Sequence, residues 1–244
     1  MKPAAGSVLL VGAGGIGAPC ALALAQAGVA RIAVADLDRV DRSNLHRQIL
    51  FSDRDVGRPK VFAFAEQLVG MFPGLRVEIA KSRVEPDNVQ RLLEGAAVVI
   101  DATDNFSARF LLADACHLAG VPIVHAAAIR WRATVLAATP GGRPCYRCLF
   151  EDLPADDAPN CATAGVIGPV CGVAGALAAD RAVRLLGGDA TAAGVITTYD
   201  GLRSALRDVV VRPRPDCPLC GEIPSIQALD AARYDGPACA LNGS

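Results

Sequence analysis

The chain has 244 residues, of which 52% are hydrophobic, and its formal net charge is −1. This length and apolar content are enough to bury a large core within one compact enzyme domain. The balanced charge gives no electrostatic preference for nucleic acid, and neither end of the chain carries a strongly basic or acidic tail.

Residues 1–7 are too few and too polar to be a signal peptide, so we expect a cytoplasmic protein. In that compartment the nine cysteines are not expected to form disulfides. The longest uncharged segment, Cys161–Ala179, contains four glycines and a proline and is followed by Asp180 and Arg181. We expect a buried loop and the start of a helix there, and no membrane span.

The first elements are predicted to be a strand, a glycine turn, a helix and a second strand. Apolar residues 8–11 precede GAGGIG at 12–17, a small-residue pattern runs to Gly28, and residues 31–35 are apolar again. Such glycines allow a tight turn and close approach to a phosphate at a helix N-terminus. Asp36 follows about twenty residues on, where a carboxylate would hold a ribose hydroxyl. These residues alone leave open a nicotinamide or flavin enzyme, another nucleotide enzyme, or a turn used for packing.

Charged and polar side chains after Asp36 favour ATP among these alternatives. The run DLDRVDRSNLHRQ contains Asp38, Asn44, Arg47 and Gln48, and Lys60 ends the tetrapeptide GRPK. A dehydrogenase has no use for cations here, whereas the β- and γ-phosphates of ATP carry the negative charge that cations neutralise.

Strands and helices continue to alternate, which predicts a parallel sheet. The predicted elements are a helix over 59–72, a strand over 75–80, a short helix over 87–94, a buried strand over 96–100, a helix over 106–119 and a strand over 121–127. The buried stripe of the first of these helices is predicted as Val61, Phe62, Phe64, Ala65, Leu68 and Val69.

Three separate segments should meet at one crevice, because ligands of doubly wound sheets bind outside the carboxyl ends of the strands. They are residues 12–17, 36–38 and 101–104. Asp104 can cap the following helix, or it can bind Mg²⁺ at a triphosphate, and both roles are open. The three histidines have no metal-ligand spacing to one another, so we treat them as structural.

The second half is predicted to extend the sheet with antiparallel strands and to offer a surface for a partner. Residues 131–139 are extended, and residues 195–199 and 205–211 form a hairpin about Asp200-Gly201. The acidic, proline-containing segment 151–159 should be a mobile loop.

Four cysteines form two CxxC pairs, at Cys145 and Cys148 and at Cys217 and Cys220. Two such pairs suit one tetrahedral Zn²⁺ that staples distant parts of the chain, and a thioredoxin-like redox motif is the rival interpretation. Packing roles are expected for Cys20, Cys116 and Cys171.

Together, the GAGGIG turn, the DLDRVDRSNLHRQ run, GRPK and DATDN at 101–105 resemble the ThiF/MoeB/HesA family, bacterial relatives of ubiquitin-activating enzymes. The resemblance covers about Val8 to Gly221. It implies an ATP-dependent adenylyltransferase that activates the C-terminal Gly-Gly carboxylate of a ubiquitin-like sulfur-carrier protein, and a homodimer. It also implies a Rossmann-like, doubly wound fold with Mg²⁺ at Asp104 and structural Zn²⁺ at the four cysteines. We assign the nucleotide site to Gly12, Gly14, Gly15, Gly17, Asp36, Asp38, Asn44, Arg47, Gln48, Lys60, Asp104 and Asn105, with Arg47, Lys60 and Asp104 catalytic.

We expect a single adenylation domain over residues 1–221, with a nucleotide-binding half (8–127) and a carrier-binding and zinc half (128–221), followed by a C-terminal tail (222–244). Residues 160–173 look closer to ThiF than to MoeB, which implies a ThiS-like carrier and thiamine thiazole synthesis, with a MoaD-like carrier and molybdopterin as the alternative. In ThiF the cysteine matching Cys161 becomes linked to the carrier, so Cys161 is a catalytic candidate whose alternative role is packing.

One departure from the family pattern is the N-terminal arginine that reaches the partner subunit's active site, which has no match here. We also expect a separate sulfur donor, since no rhodanese segment follows the second CxxC pair. A non-catalytic scaffold that binds a ubiquitin-like protein and an NAD-dependent oxidoreductase are the other two hypotheses.

Overall fold

A computed structural model describes residues 6–153 and 165–234. Eight strands lie within these residues: β1 (Ser7–Val11), β2 (Arg31–Ala35), β3 (Arg76–Ala80), β4 (Val98–Asp101), β5 (Ile123–Ile129), β6 (Arg132–Ala138), β7 (Val195–Asp200) and β8 (Ala205–Val210). The helices there are α1 (Gly17–Gln26), α2 (Lys60–Met71), α3 (Val89–Leu93), α4 (Phe106–Ala119) and α5 (Gly168–Leu186).

The described strands form one eight-stranded sheet in the order β3-β2-β1-β4-β5-β6-β7-β8. Pairing is parallel from β3 to β5 and antiparallel from β5 to β8. The change occurs where helical crossovers give way to a tight turn between β5 and β6, because only antiparallel strands can be joined by so short a connection. The predicted parallel sheet with an antiparallel extension is therefore confirmed.

Helices cover both faces of the parallel part of the sheet. Val8 and Leu10 of β1 belong to the core shared with α1, α2 and α5. Leu9 and Val11 face the other way, into a core with α3, α4 and the cysteine pairs. A strand that alternates between two buried faces reads as a continuous apolar run, as β1 does in the sequence.

The predicted buried stripe of α2 is wrong at two positions. Val61, Phe64 and Leu68 are fully buried, but Phe62 and Val69 are 46% and 44% exposed. Each successive residue turns about 100° around a helix, so Phe62 and Val69, seven residues apart, share a face that points away from the core.

Residues 222–234, assigned to a tail by the sequence, lie against α4 in the structure. Ile226 and Tyr234 are 5% and 6% exposed and belong to the second core. The Tyr234 hydroxyl donates a hydrogen bond of 2.8 Å to Asp114 of α4. Across the described ranges, no helix combines the length and apolar character needed to cross a membrane.

Candidate functional site

The glycine turn between β1 and α1 leaves no room for larger residues. Gly12 has φ of +102°, and a Cβ placed there would lie 2.7 Å from the Ala102 carbonyl oxygen. A Cβ at Gly17 would lie 2.0 Å from the Gly12 carbonyl oxygen. The first turn of α1 has no side-chain cap and no acidic residue. Its backbone N–H groups are therefore suited to bind an anion, as the sequence predicts for a phosphate.

Asp36, just after β2, is held beside this turn by two backbone hydrogen bonds. The Ala13 N–H donates to one carboxylate oxygen at 2.8 Å, and the Asp38 N–H donates to the other at 2.8 Å. Burial raises the pKa of Asp36, while the Lys60 charge and both hydrogen bonds oppose that shift. Each oxygen keeps a lone pair, so the carboxylate can also accept from a ribose hydroxyl.

Lys60, the first residue of α2, reaches the crevice although it is far from β2 in sequence. Its Nζ lies 2.9 Å from Asp38 Oδ2, and its side chain is 8% exposed. The Lys60 backbone N–H also donates to the Asp38 carbonyl at 2.9 Å, next to a bridge between Arg39 and Pro59. Burying an ammonium removes most of its hydration, and the contact with the Asp38 carboxylate offsets that loss.

Arg47 and Gln48 pack against the glycine turn from the other side. A Cβ at Gly15 would lie 3.2 Å from Arg47 Cγ, and one at Gly14 would lie 3.7 Å from Gln48 Nε2. The backbone N–H groups of both residues donate to the Asn44 carbonyl, which fixes their positions. Gln48 is 3% exposed, and its buried Oε1 has no hydrogen-bond partner within residues 6–153 and 165–234. An unsatisfied buried acceptor beside a glycine cradle fits a ligand that brings a hydrogen-bond donor.

Asp104 follows β4 at the same end of the sheet. The cap of α4 is Asn105, whose side chain accepts from the Ala108 N–H at 2.7 Å. The capping role that the sequence leaves open for Asp104 is thus filled by its neighbour. Asp104 itself is exposed at the crevice, where a carboxylate is suited to bind a divalent cation that also contacts phosphate oxygens.

A buried network that the sequence did not reveal supports the Asp104 loop from below. Asp101 accepts from Thr103 through Oδ1, and its Oδ2 lies 2.7 Å from His125 Nδ1 and 3.3 Å from Arg109 Nε. Arg109 also donates to the carbonyl oxygens of Thr103 and Ala126. Burial acts to raise the pKa of Asp101, but Arg109 and His125 prevail and lower it to about 2. The charged carboxylate therefore fixes the loop that carries Asp104.

The two CxxC pairs meet in one buried cluster. The four sulfur atoms of Cys145, Cys148, Cys217 and Cys220 lie within 4.8 Å of one another. Two of the separations are 3.6 Å, between Cys145 and Cys217, and 3.4 Å, between Cys148 and Cys220. A disulfide would need about 2.05 Å, whereas sulfurs around one tetrahedral metal lie about 3.7 Å apart. The cluster can therefore hold a metal ion.

The other described cysteines are buried, as the sequence predicts. Cys20, Cys116 and Cys171 are at most 2% exposed, and burial raises the pKa of Cys20 to about 12. A thiol in such surroundings is protonated and unreactive. Cys161 and most of the predicted mobile loop lie outside the described residues.

Comparison with known proteins agrees with this arrangement. The sequence profile of the ThiF family matches residues 2–219. The chain is 42% identical to the SAMP-activating enzyme E1 of Haloferax volcanii, over 91% of this chain and 84% of that protein. It is 39% identical to the sulfur carrier protein ThiS adenylyltransferase of Escherichia coli K12, over 88% of this chain and 85% of that protein. A crystal structure of E. coli MccB has the same fold, with a TM-score of 0.80 and 22% identity over 91% of this chain and 67% of that one.

Proposed function

The chain belongs to the ThiF family, and from that premise we propose that it is an ATP-dependent adenylyltransferase. Its substrate is the C-terminal Gly-Gly carboxylate of a ubiquitin-like sulfur-carrier protein. The proposal rests on one observation: the glycine turn lies at the carboxyl ends of the parallel strands together with Asp36, Lys60, Arg47 and Asp104. A ribose hydroxyl, a polyphosphate and a divalent cation each find suitable partners there.

The residues present account for the chemistry by position and charge. A carboxylate is a poor electrophile, and it becomes an acyl-adenylate by attacking the α-phosphorus while negative charge builds on the departing pyrophosphate. Arg47, which packs on the glycine turn, and Lys60, which contacts Asp38, would stabilise that charge. Mg²⁺ bound through Asp104 would add positive charge at the same phosphates. No nucleophilic side chain is needed for this step, since orientation and electrostatics suffice.

Asp38 prepares Lys60 for this role. The contact of 2.9 Å holds the ammonium at the crevice, so its position does not depend on a long, unrestrained side chain. Asp36 and the glycine turn then set the distance between ribose and phosphates. This mechanism gives a role to five of the polar residues assigned to the site from the sequence, namely Asp36, Asp38, Arg47, Lys60 and Asp104.

The four-cysteine cluster is proposed to hold one structural Zn²⁺ per chain. The sulfur spacing suits a closed site with four thiolate ligands, and such sites contribute directly to folding. The cluster lies on the α4 side of the sheet and joins residues that are 72 positions apart. The zinc would therefore stabilise the second half of the protein without taking part in adenylation.

The carrier is proposed to be ThiS-like, with a MoaD-like carrier as the alternative. The E. coli relative is named a sulfur carrier protein ThiS adenylyltransferase, whereas the name of the Haloferax relative, SAMP-activating enzyme E1, mentions neither ThiS nor MoaD. A second copy of the chain is the proposed partner in a homodimer. Apolar side chains exposed on the nucleotide half support it, since Ile49 is 59% exposed and Phe62 and Val69 share an outer face of α2.

Cys161 is proposed to link covalently to the activated carrier during sulfur transfer, with sulfur supplied by a separate donor protein. The Cys161→Ser variant should then keep adenylation and lose a thiol-sensitive adduct that mass spectrometry detects in the wild type. If the wild type forms no adduct, or the variant forms it equally well, Cys161 has only a packing role.

The decisive experiment is exchange of labelled pyrophosphate into ATP in the presence of a ThiS-like or MoaD-like carrier ending in Gly-Gly. Exchange should depend on the carrier, and the same carrier without its terminal Gly-Gly is the matched control. Exchange that does not need the carrier would contradict the proposed substrate. Tight carrier binding without exchange would favour the scaffold, and nicotinamide-dependent turnover without exchange would favour the oxidoreductase.

A further inference from the structure

Tyr146 connects the cysteine cluster to the buried network that supports the Asp104 loop. It lies between Cys145 and Cys148, in a short 3₁₀ helix that begins after Cys145. The Cys148 N–H donates to the Cys145 carbonyl at 3.1 Å, which closes the turn, and Tyr146 is only 5% exposed. The backbone on both sides of Tyr146 therefore belongs to the cluster.

Three aromatic side chains hold the Tyr146 ring in place. The ring centroids of His125, Phe150 and Phe110 lie 4.5, 5.0 and 5.2 Å from that of Tyr146. The Phe110 ring stands at 81° to it, an edge-to-face arrangement that aromatic pairs favour. These contacts do not involve the hydroxyl, so Tyr146→Phe should keep the packing and change only the hydrogen bonding.

The Tyr146 hydroxyl is bonded to Arg109 of α4. Burial raises the pKa of Tyr146 to about 12, while the charge of Arg109 and a side-chain hydrogen bond with Arg109 act in the opposite direction. A guanidinium can only donate, so the neutral hydroxyl is the acceptor. Both side chains also line the same cavity of about 140 Å³, in agreement with this contact.

Arg109 in turn holds the residue that precedes Asp104. Its Nη2 donates to the Thr103 carbonyl at 2.6 Å and to a carbonyl of β5 at 3.0 Å. Its Nε lies 3.3 Å from Asp101 Oδ2. A guanidinium is planar and rigid, so one orientation of the group has to satisfy all of these contacts. The bond to Tyr146 adds a further constraint on that orientation.

Loss of the Tyr146 hydroxyl would leave a buried N–H of Arg109 without this acceptor. An unsatisfied buried donor is costly, and a turn of the guanidinium towards another acceptor would lengthen its bond to Thr103. Asp104 follows Thr103 directly, and Mg²⁺ requires nearly ideal octahedral geometry of its ligands. The effect should therefore appear in the part of nucleotide affinity that depends on Mg²⁺.

We infer that Tyr146 is a positioning residue, which orients Arg109 so that Asp104 faces the divalent cation of the bound nucleotide. This inference rests on the proposed function and deepens it. It joins the first CxxC pair to the crevice through side chains whose contacts are all buried. Tyr146 itself touches neither nucleotide nor metal in this arrangement and acts through Arg109.

The test measures binding of a non-hydrolysable ATP analogue by calorimetry, with and without added Mg²⁺ and without carrier. Tyr146→Phe should lower the affinity with Mg²⁺ about three- to tenfold, the effect of one lost hydrogen bond. The affinity without Mg²⁺ should not change. Zinc content should match that of the wild type, because all four cysteines are intact.

An Asp104→Asn background shows whether Tyr146 acts through Asp104. Tyr146→Phe should have no additional effect there, because effects that pass through one group are not additive. Tyr234→Phe is the matched control, since it removes another buried hydroxyl, one that donates to Asp114 of the same helix at 2.8 Å. It should leave the affinity for the analogue unchanged.

Arg109→Lys tests the same link from its other end if Tyr146→Phe does not fold, as judged by thermal melting. Lys keeps a positive charge beside Asp101 but lacks the planar set of donors. This variant should lower the affinity with Mg²⁺ at least as much as Tyr146→Phe. An unchanged affinity would contradict the role given to Arg109 and overturn the inference.

Failure of the wild type to bind the analogue would overturn the proposed function and this inference with it. Binding by the wild type with the same affinity in Tyr146→Phe would overturn the inference alone. An equal loss with and without Mg²⁺, an additive loss in the Asp104→Asn background, or an equal loss in Tyr234→Phe would indicate general destabilisation. Each of these results would also overturn the inference.

Discussion

The glycine turn and the cysteine cluster bring functional residues together by different means. At the turn, residues 12–17, 36–38 and 60 all fall within the first 60 residues and lie at the ends of neighbouring strands or at a helix start. In the cluster, Cys145 and Cys217 are 72 residues apart and lie in loops beyond the strands. The first arrangement follows from the topology of a parallel sheet. The second depends on a contact that chain topology alone does not create, so its stability should depend on the metal that joins it.

Loss of the metal should destabilise the region around the four cysteines, and we expect it to lower the melting temperature more than any other change. Structural zinc sites have apparent binding free energies of about 10–16 kcal/mol in small domains, so Cys217→Ser should lower the melting temperature strongly and abolish bound zinc. A strong chelator should do the same to the wild type. Cys116→Ala, which changes a buried cysteine outside the cluster, should keep one zinc per chain. A metal-free protein with unchanged melting temperature would contradict the zinc assignment.

Removal of one positively charged side chain should slow adenylation at the nucleotide site without unfolding the protein. Arg47→Ala or Lys60→Ala removes a charge directed at the leaving pyrophosphate, and loss of one such contact costs about 10²–10³ in rate. Carrier-dependent pyrophosphate exchange measures the rate, and zinc content and melting temperature should stay near the wild-type values. Full activity in either variant would show that the residue does not serve the phosphates.

Two glycine variants compare the stability effect of a substitution at the glycine turn with that of the same substitution at an ordinary helix position. Gly17→Ala should destabilise the protein by about 1–3 kcal/mol, since its Cβ would lie 2.0 Å from the Gly12 carbonyl oxygen. Gly70→Ala on α2 meets no atom within 4 Å and should stabilise the protein by up to about 1 kcal/mol. Urea unfolding gives both values. Equal effects at the two positions would mean that Gly17 is not required by the geometry of the turn.

The comparison also explains which parts could be predicted from the sequence. The bounds of β2 and α4, Arg31–Ala35 and Phe106–Ala119, are those that the apolar pattern and the polar pair Asp104-Asn105 before the helix indicate. The residues of the crevice are found because strand ends of a parallel sheet converge. The two CxxC motifs identify the four cysteines whose sulfur atoms the fold brings within 4.8 Å of one another.

Contacts between distant residues that no single motif connects could not be predicted. The bond between Asp101 and His125 depends on the register of β4 against β5, which sets residue 101 opposite residue 125. No pattern in the sequence specifies that register. The exposure of Phe62 and Val69 was missed for a related reason, because apolar residue type alone does not say which face of α2 meets the core.

The segment after the second CxxC pair is another such case, and a buried hydrogen-bond network holds it in place. Asp114 of α4 accepts from Arg147 at 2.7 and 2.8 Å and from the Tyr234 hydroxyl at 2.8 Å. Arg147 lies between the cysteines of the first pair, so this network joins residues 222–234 to the cluster region. No short motif connects position 234 to position 114, which explains why the sequence placed these residues in a tail.

Tyr234→Phe removes only the hydroxyl and leaves the charge of Asp114 paired with Arg147. One hydrogen bond to a charged group contributes about 1.5–3 kcal/mol, and the paired Asp114 keeps the expected loss near the lower end of that range. Urea unfolding should show this loss, while pyrophosphate exchange at 25 °C should be unchanged because the crevice is built from other residues. An unchanged unfolding midpoint would show that the hydroxyl does not stabilise the segment. A loss of exchange with normal stability would instead connect residues 222–234 to the nucleotide region and weaken the division between the two regions.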